Sequence, residues 1–161
     1  MISPAEFARQ WGGDLVRPSA EAVECLQAPE ESKVFLREAG LPSSTPLRFC
    51  FRFPGGQVPK LAEVLGEDGP LEKGVARYRG LGVKVQTHVC LDEALQGAIF
   101  AVNLDPAVPT RFMNGSVPQL AESLLVFRRL YHELYSSDEG AGSGERQRRY
   151  AALMRDALER I

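Results

Sequence analysis

Apolar and polar residues alternate with different periods along the chain, and each change of period marks a different kind of element. Asp14 to Cys25 and Glu30 to Ala39 are helix-prone. The second closes on Gly40, Leu41 and Pro42, a left-handed stop, an apolar contact and a residue that cannot continue a helix. From Leu47 to Phe53 the period becomes two, with Leu47, Phe49, Phe51 and Phe53 on one face and Arg48, Cys50 and Arg52 on the other, which predicts a half-buried strand. Pro54-Gly55-Gly56 breaks it, Val58 to Leu65 predicts a short helix or turn before a Gly66 to Gly69 loop, and Val75 to Arg79 is a weaker strand. Gly80-Leu81-Gly82 reads as a hairpin turn, after which Val83, Val85, Thr87, Val89 and Leu91 alternate with Lys84, Gln86, His88 and Cys90. Ala98 to Val102 is apolar throughout, as expected of a central strand covered on both faces.

Ser116 then offers an N-cap with Gln119 three positions on, the two partners of a capping box, and Pro118 sits in the first turn, where a missing N–H costs nothing. Leu120, Leu124, Phe127, Tyr131 and Leu134 form a stripe at helical spacing, with Glu122, Arg129 and Glu133 opposite. Leu125 and Val126 fall outside that stripe and call for separate cover. The division expected is a domain over 1–137, a Gly-rich linker over 138–144 and an amphipathic helix over 145–161. That last stripe, Tyr150, Leu153, Met154, Ala157, Leu158 and Ile161, has Arg148, Arg149, Arg155 and Arg160 opposite, and it needs a surface to dock on, whether Leu125 and Val126, a second copy or a partner. Helices before and after a run of hairpin-linked strands define an α+β domain with a mainly antiparallel sheet.

A chain of 161 residues with 44% hydrophobic and 25% charged content suits one soluble domain. Its net charge of −2 disfavours direct nucleic-acid binding. No segment approaches the ~20 apolar residues of a membrane span, and the first residues have no secretory pattern, so a cytoplasmic location is expected. Three widely spaced cysteines, Cys25, Cys50 and Cys90, suit free thiols.

Candidate chemistry is sparse. His88 and Cys90 share a strand face at ~7 Å between Cα atoms and make a thiol hydrolase the sharpest enzymatic option, but a thiol packed under a helix explains the pair without catalysis. There is no CxxC, HExxH or close His pair, so no metal is expected, and no phosphate-binding glycine motif points to a cofactor. Asp92, Glu93 and Asp105 at strand ends could serve a basic partner. Arg48 and Arg52, ~13 Å apart on a strand face, suit two separate contacts. Arg111 completes the set of candidate partner-binding residues.

The order of the pieces resembles the SUKH superfamily, specifically its fourth group of bacterial immunity proteins. The resemblance rests on Phe35-Leu36 before Gly40-Leu41-Pro42, the strand around Phe49 to Phe53, Tyr78 through Leu81-Gly82, Cys90-Leu91-Asp92, Gly97 through Val102, and Phe112 to Ser116 before the long helix. It covers Phe35 to Leu134, and the helix from Glu145 onward has no evident counterpart. The resemblance implies a non-enzymatic module that neutralises a cognate toxin, of nuclease or deaminase type, by tight binding. A competing expectation is an intracellular scaffold or regulator that associates, with itself or with a host peptide, through the tail helix.

Overall fold

Five strands lie side by side in the order in which the chain makes them: β3 (Cys50–Phe51), β4 (Tyr78–Lys84), β5 (Thr87–Asp92), β6 (Ala98–Asn103) and β7 (Arg111–Asn114), each antiparallel to its neighbour. The computed structural model describes residues 1–65, 75–105 and 107–136. Among them are also α1 (Pro4–Trp11), α2 (Ala20–Glu24), α3 (Glu30–Glu38), α4 (Leu61–Leu65) and α5 (Val117–Ser136). A two-stranded ladder pairs β1 (Leu15–Val16) with β2 (Leu41–Pro42). The fold is therefore α+β with helices flanking an antiparallel sheet, as expected. The linker over 138–144 and the helix over 145–161 lie outside the described residues, as does the Gly66 to Gly69 loop.

Strand alternation assigns the two faces of the sheet. Phe51, Val89, Leu91 and Ile99 point to one side and meet α1, α3 and α5 in the main core. There the Phe7 and Phe35 rings lie 5.3 Å apart and the Phe7 and Trp11 rings 5.9 Å. The other side holds Tyr78, Cys90 and Val102, capped by Leu61 of α4 with Phe100 packed alongside. Every residue of β5 except Thr87 is buried, whereas Ala98, Phe100 and Ala101 of β6 are only half-buried. The strand covered on both faces is thus β5, which is central in the order, and not β6 as its unbroken apolar run suggested.

Several boundaries differ from expectation for local reasons. The stretch from Asp14 to Cys25 is not one helix: Pro18 disfavours helical geometry at Arg17, so Leu15–Val16 pairs as a strand, and Ser19 then caps α2 by accepting the Ala22 amide at 3.1 Å. Only Cys50–Phe51 of the predicted Leu47 to Phe53 strand is paired. Arg48 adopts φ 63° in a turn closed by Arg48 N–H donating to Thr45 O at 2.8 Å, so Arg48 and Arg52 do not share a strand face. Gly80-Leu81-Gly82 is not a turn but a bulge inside β4, with Gly80 opposite Cys90, Gly82 opposite Val89, and Leu81 turned wholly into the core. The hairpin turn falls instead at Val85-Gln86, with Val85 at φ 53°.

α5 begins where expected, with a small shift in its cap. Ser116 Oγ accepts the Gln119 amide at 3.4 Å, while Gln119 Oε1 accepts the Gly115 amide at 2.8 Å, one residue earlier than in a standard capping box. The buried face is Val117, Leu120, Ala121, Leu124 and Leu125, so Leu125 belongs to the main core. Phe127 and Tyr131 are only half-buried. The helix is rotated from the expected phase because α1 and α3 pack against it; the Val117 amide donates to the buried Ser32 Oγ of α3 at 3.3 Å.

Candidate protein-binding surface

The second face of the sheet contains the chemistry that the sequence raised, and its burial decides what that chemistry can do. Cys90 is fully buried under α4, and burial pushes its thiol up to about 12. With no exposed surface and a thiol disfavoured from ionising by burial, Cys90 is poorly placed to act as a nucleophile. His88, two residues away on the same strand face, is 8% exposed, and its imidazole is held below the ordinary value first by burial and then by the Arg52 guanidinium. Cys25 and Cys50 are exposed. Alkylation of the folded protein is therefore expected to modify Cys25 and Cys50 and to reach Cys90 only after denaturation, as read by peptide mass mapping; modification of native Cys90 at a comparable rate would overturn this assignment.

The depressed imidazole also fixes a sign for stability. Because the folded-state value lies below the unfolded value of 6.5, the unfolded chain binds the proton first as pH falls. His88 then leaves stability intact above that value and lowers it as pH drops through the window beneath. Urea midpoints are expected to fall between about pH 7.5 and about pH 5, and His88→Gln should shrink that difference. An unchanged difference in the variant would remove His88 as its source.

The six candidate contact residues lie in three places. Arg48 and Arg52 are exposed at the β3 edge, and Asp105 and Arg111 are exposed at and beside the β7 edge. These edges are four strand spacings apart, about 19 Å. Asp92 and Glu93 lie between and are already engaged. Asp92 is fully buried; one carboxylate oxygen accepts the Ala94 amide at 2.9 Å and the other lies 3.0 Å from Arg77 Nε, within ion-pair distance but without hydrogen-bond alignment. Glu93 Oε1 accepts the Gln27 amide at 3.1 Å, and its other oxygen lies 2.9 Å from Arg79 Nε. These two acids tie the end of β5 to the loop before α3 and to β4, and Asp92 has no surface left to offer.

One exposed side chain escaped the residue-by-residue reading. Phe112 of β7 is 63% exposed and stands edge-on against Phe100, ring centroids 5.7 Å apart. It sits next to Arg111 on an edge strand, and an aromatic beside an arginine is the composition enriched where protein interfaces concentrate their energy. The period-two signal in Arg111-Phe112-Met113-Asn114 is four residues long, too short to assign a face.

The two sheet edges expose arginine and phenylalanine, and no cluster of His, Cys, Asp and Glu placed to hold a metal occurs among the described residues. No helix among them is long and apolar enough to cross a membrane. The SUKH-4 immunity protein family matches residues 2–161, and the chain belongs to that family. The match extends on both sides of the Phe35 to Leu134 stretch that carried the resemblance, so the segment from Glu145 onward falls within the family's span rather than outside it. No curated protein and no solved structure matches the chain.

Proposed function

We propose that this protein neutralises a cognate toxin in the cytoplasm by binding it tightly and covering its active site or substrate channel. The observation that carries this reading is membership of an immunity protein family along nearly the whole chain. What supports it in the structure is the exposure of Arg48, Arg52, Arg111 and Phe112 at two sheet edges, where affinity comes from a few well-placed anchors rather than from total area. Arg48, Arg52, Asp105 and Arg111 are the contacts proposed from the sequence, and Phe112 joins them. Asp92 and Glu93 contribute by fixing the sheet end rather than by touching the partner. The toxin is taken to act on nucleic acid, as a nuclease or deaminase, and a homo-oligomer formed through the segment over 145–161 is a further possibility for the free protein. Co-expression with the toxin encoded beside this chain should restore growth of a sensitive host and yield a complex that survives gel filtration. Absence of both rescue and complex would remove the immunity role.

A further inference from the structure

Beside α4, on the second face of the sheet, lies a small open depression of about 70 Å³. That is well below the roughly 300–1,000 Å³ of sites that enclose small molecules, so a free metabolite is a poor occupant. Its floor is the backbone of Gly80 to Gly82, its walls are Pro54, Pro59, Val64 and Val83, and Arg52 and His88 supply its polar groups. A side chain inserted by another protein is of the right size.

The two polar groups define the chemistry of that side chain. Arg52 is exposed and forms no ion pair among the described residues, and the His88 ring, more than nine-tenths buried, has no hydrogen-bond partner among them. The His88 ring nitrogens are not among the buried polar atoms that lack a partner, so a ligand in the depression can reach them. Guanidinium and imidazole N–H groups both donate to a carboxylate, the first with charge assistance, while the proline and valine walls suit the methylene stem of Asp or Glu. Beside the walls, Lys60 is exposed and likewise outside any ion pair among the described residues, and the Glu63 carboxylate accepts the Lys60 backbone amide at 2.9 Å. A phosphate could also meet Arg52, but no Phe, Tyr or Trp lines the depression to stack a base, and the chain as a whole has a net charge of −2.

We infer that the depression between Arg52 and His88 receives a single glutamate or aspartate side chain of the toxin. This rests on the reading that the protein binds a toxin, and it deepens that reading by naming the chemistry of the partner's anchor. Arg52 clamps the carboxylate with charge assistance, and His88 donates to it from below.

Two variants test the site in different ways. Arg52→Gln removes the clamp. Gly80→Val fills the floor; an added Cβ there would sit 3.7 Å from the Pro59 carbonyl oxygen and 4.0 Å from Val64 Cγ2, so the first added atom fits without displacing the backbone. With the purified toxin domain, each variant should weaken binding about tenfold or more while the wild-type complex forms normally. If the wild-type complex forms and both folded variants bind within about twofold of it, the carboxylate site is wrong and the immunity reading stands.

If no complex forms at all, the immunity reading fails, and the site is judged with the acidic peptide acetyl-Glu-Ala-Glu-Ala-amide against its glutamine counterpart and a single-stranded oligonucleotide. The expected result is saturable chemical-shift change at His88 and Arg52 with the glutamate peptide alone, an upward move of the His88 titration on binding, and loss of both in Arg52→Gln. Equal shifts with the glutamine peptide, preference for the oligonucleotide, or no saturable change would overturn the inference.

Discussion

Gly40→Ala is expected to lower the melting temperature by about 10 °C, because two costs coincide at that position. Gly40 sits at φ 76°, where an L side chain costs roughly 1–2 kcal/mol. An added Cβ would also run into the Val16 carbonyl oxygen and come within 2.7 Å of Arg17 Cγ. Overpacking of that kind costs about 1–3 kcal/mol more and cannot relax without parting β1 from β2, since Val16 pairs with Leu41 next door. Gly55→Ala is the matched control: its φ is 58° but nothing lies within 4 Å of the new atom, so only the conformational cost applies. Thermal unfolding by circular dichroism checks both variants. Equal losses at the two sites would show that the crowding at Gly40 is not real.

Phe35→Ala is expected to cost about 3–5 kcal/mol, the range for deleting a fully buried aromatic side chain. Phe35 is 1% exposed, and its ring meets Phe7 between α1 and α3 in the core that α5 completes. The counterpart is Phe112→Ala. With its ring 63% exposed, its loss should change stability by no more than about 0.5 kcal/mol. Urea unfolding separates the two. A large loss at Phe112 would mean that its exposure is misjudged, and a small loss at Phe35 that the helical layer is not the main store of stability.

The elements legible in the sequence were those whose start, stop and period agree. α3 has its glycine stop, and α5 has Ser116, Pro118 and Gln119 in its first turn. The strand pattern of β5 is also clear, and with these the α+β class follows. α1 was missed although its signals are present: Ser3 accepts the Glu6 amide at 3.2 Å, Pro4 opens the helix, and Gly12 closes it at φ 59°. The β4–β5 hairpin was misplaced because Gly80 and Gly82 look like turn residues, whereas the turn uses Val85 in a conformation that β-branched residues rarely adopt. Tertiary pairing overrode local preference there. The same limit applies to the site. Arg52 was visible as a candidate, but its proximity to His88 arises from pairing across β3, β4 and β5, and no spacing in the sequence encodes it. Asp92 and Glu93 looked like exposed strand-end acids because their arginine partners, Arg77 and Arg79, lie more than ten residues upstream on the neighbouring strand and the turn before it.

The contact between the Ser32 hydroxyl and the Val117 amide spans 85 residues, and it has a consequence for the nascent chain. The strands can pair one by one as they leave the ribosome, since each meets the one made just before it. The amino-terminal helices must instead wait for α5, which at ~5–20 residues per second means several seconds or more of exposed apolar surface. During translation the helical layer, not the sheet, is therefore where chaperones are needed, and a product that ends before Val117 cannot close its core.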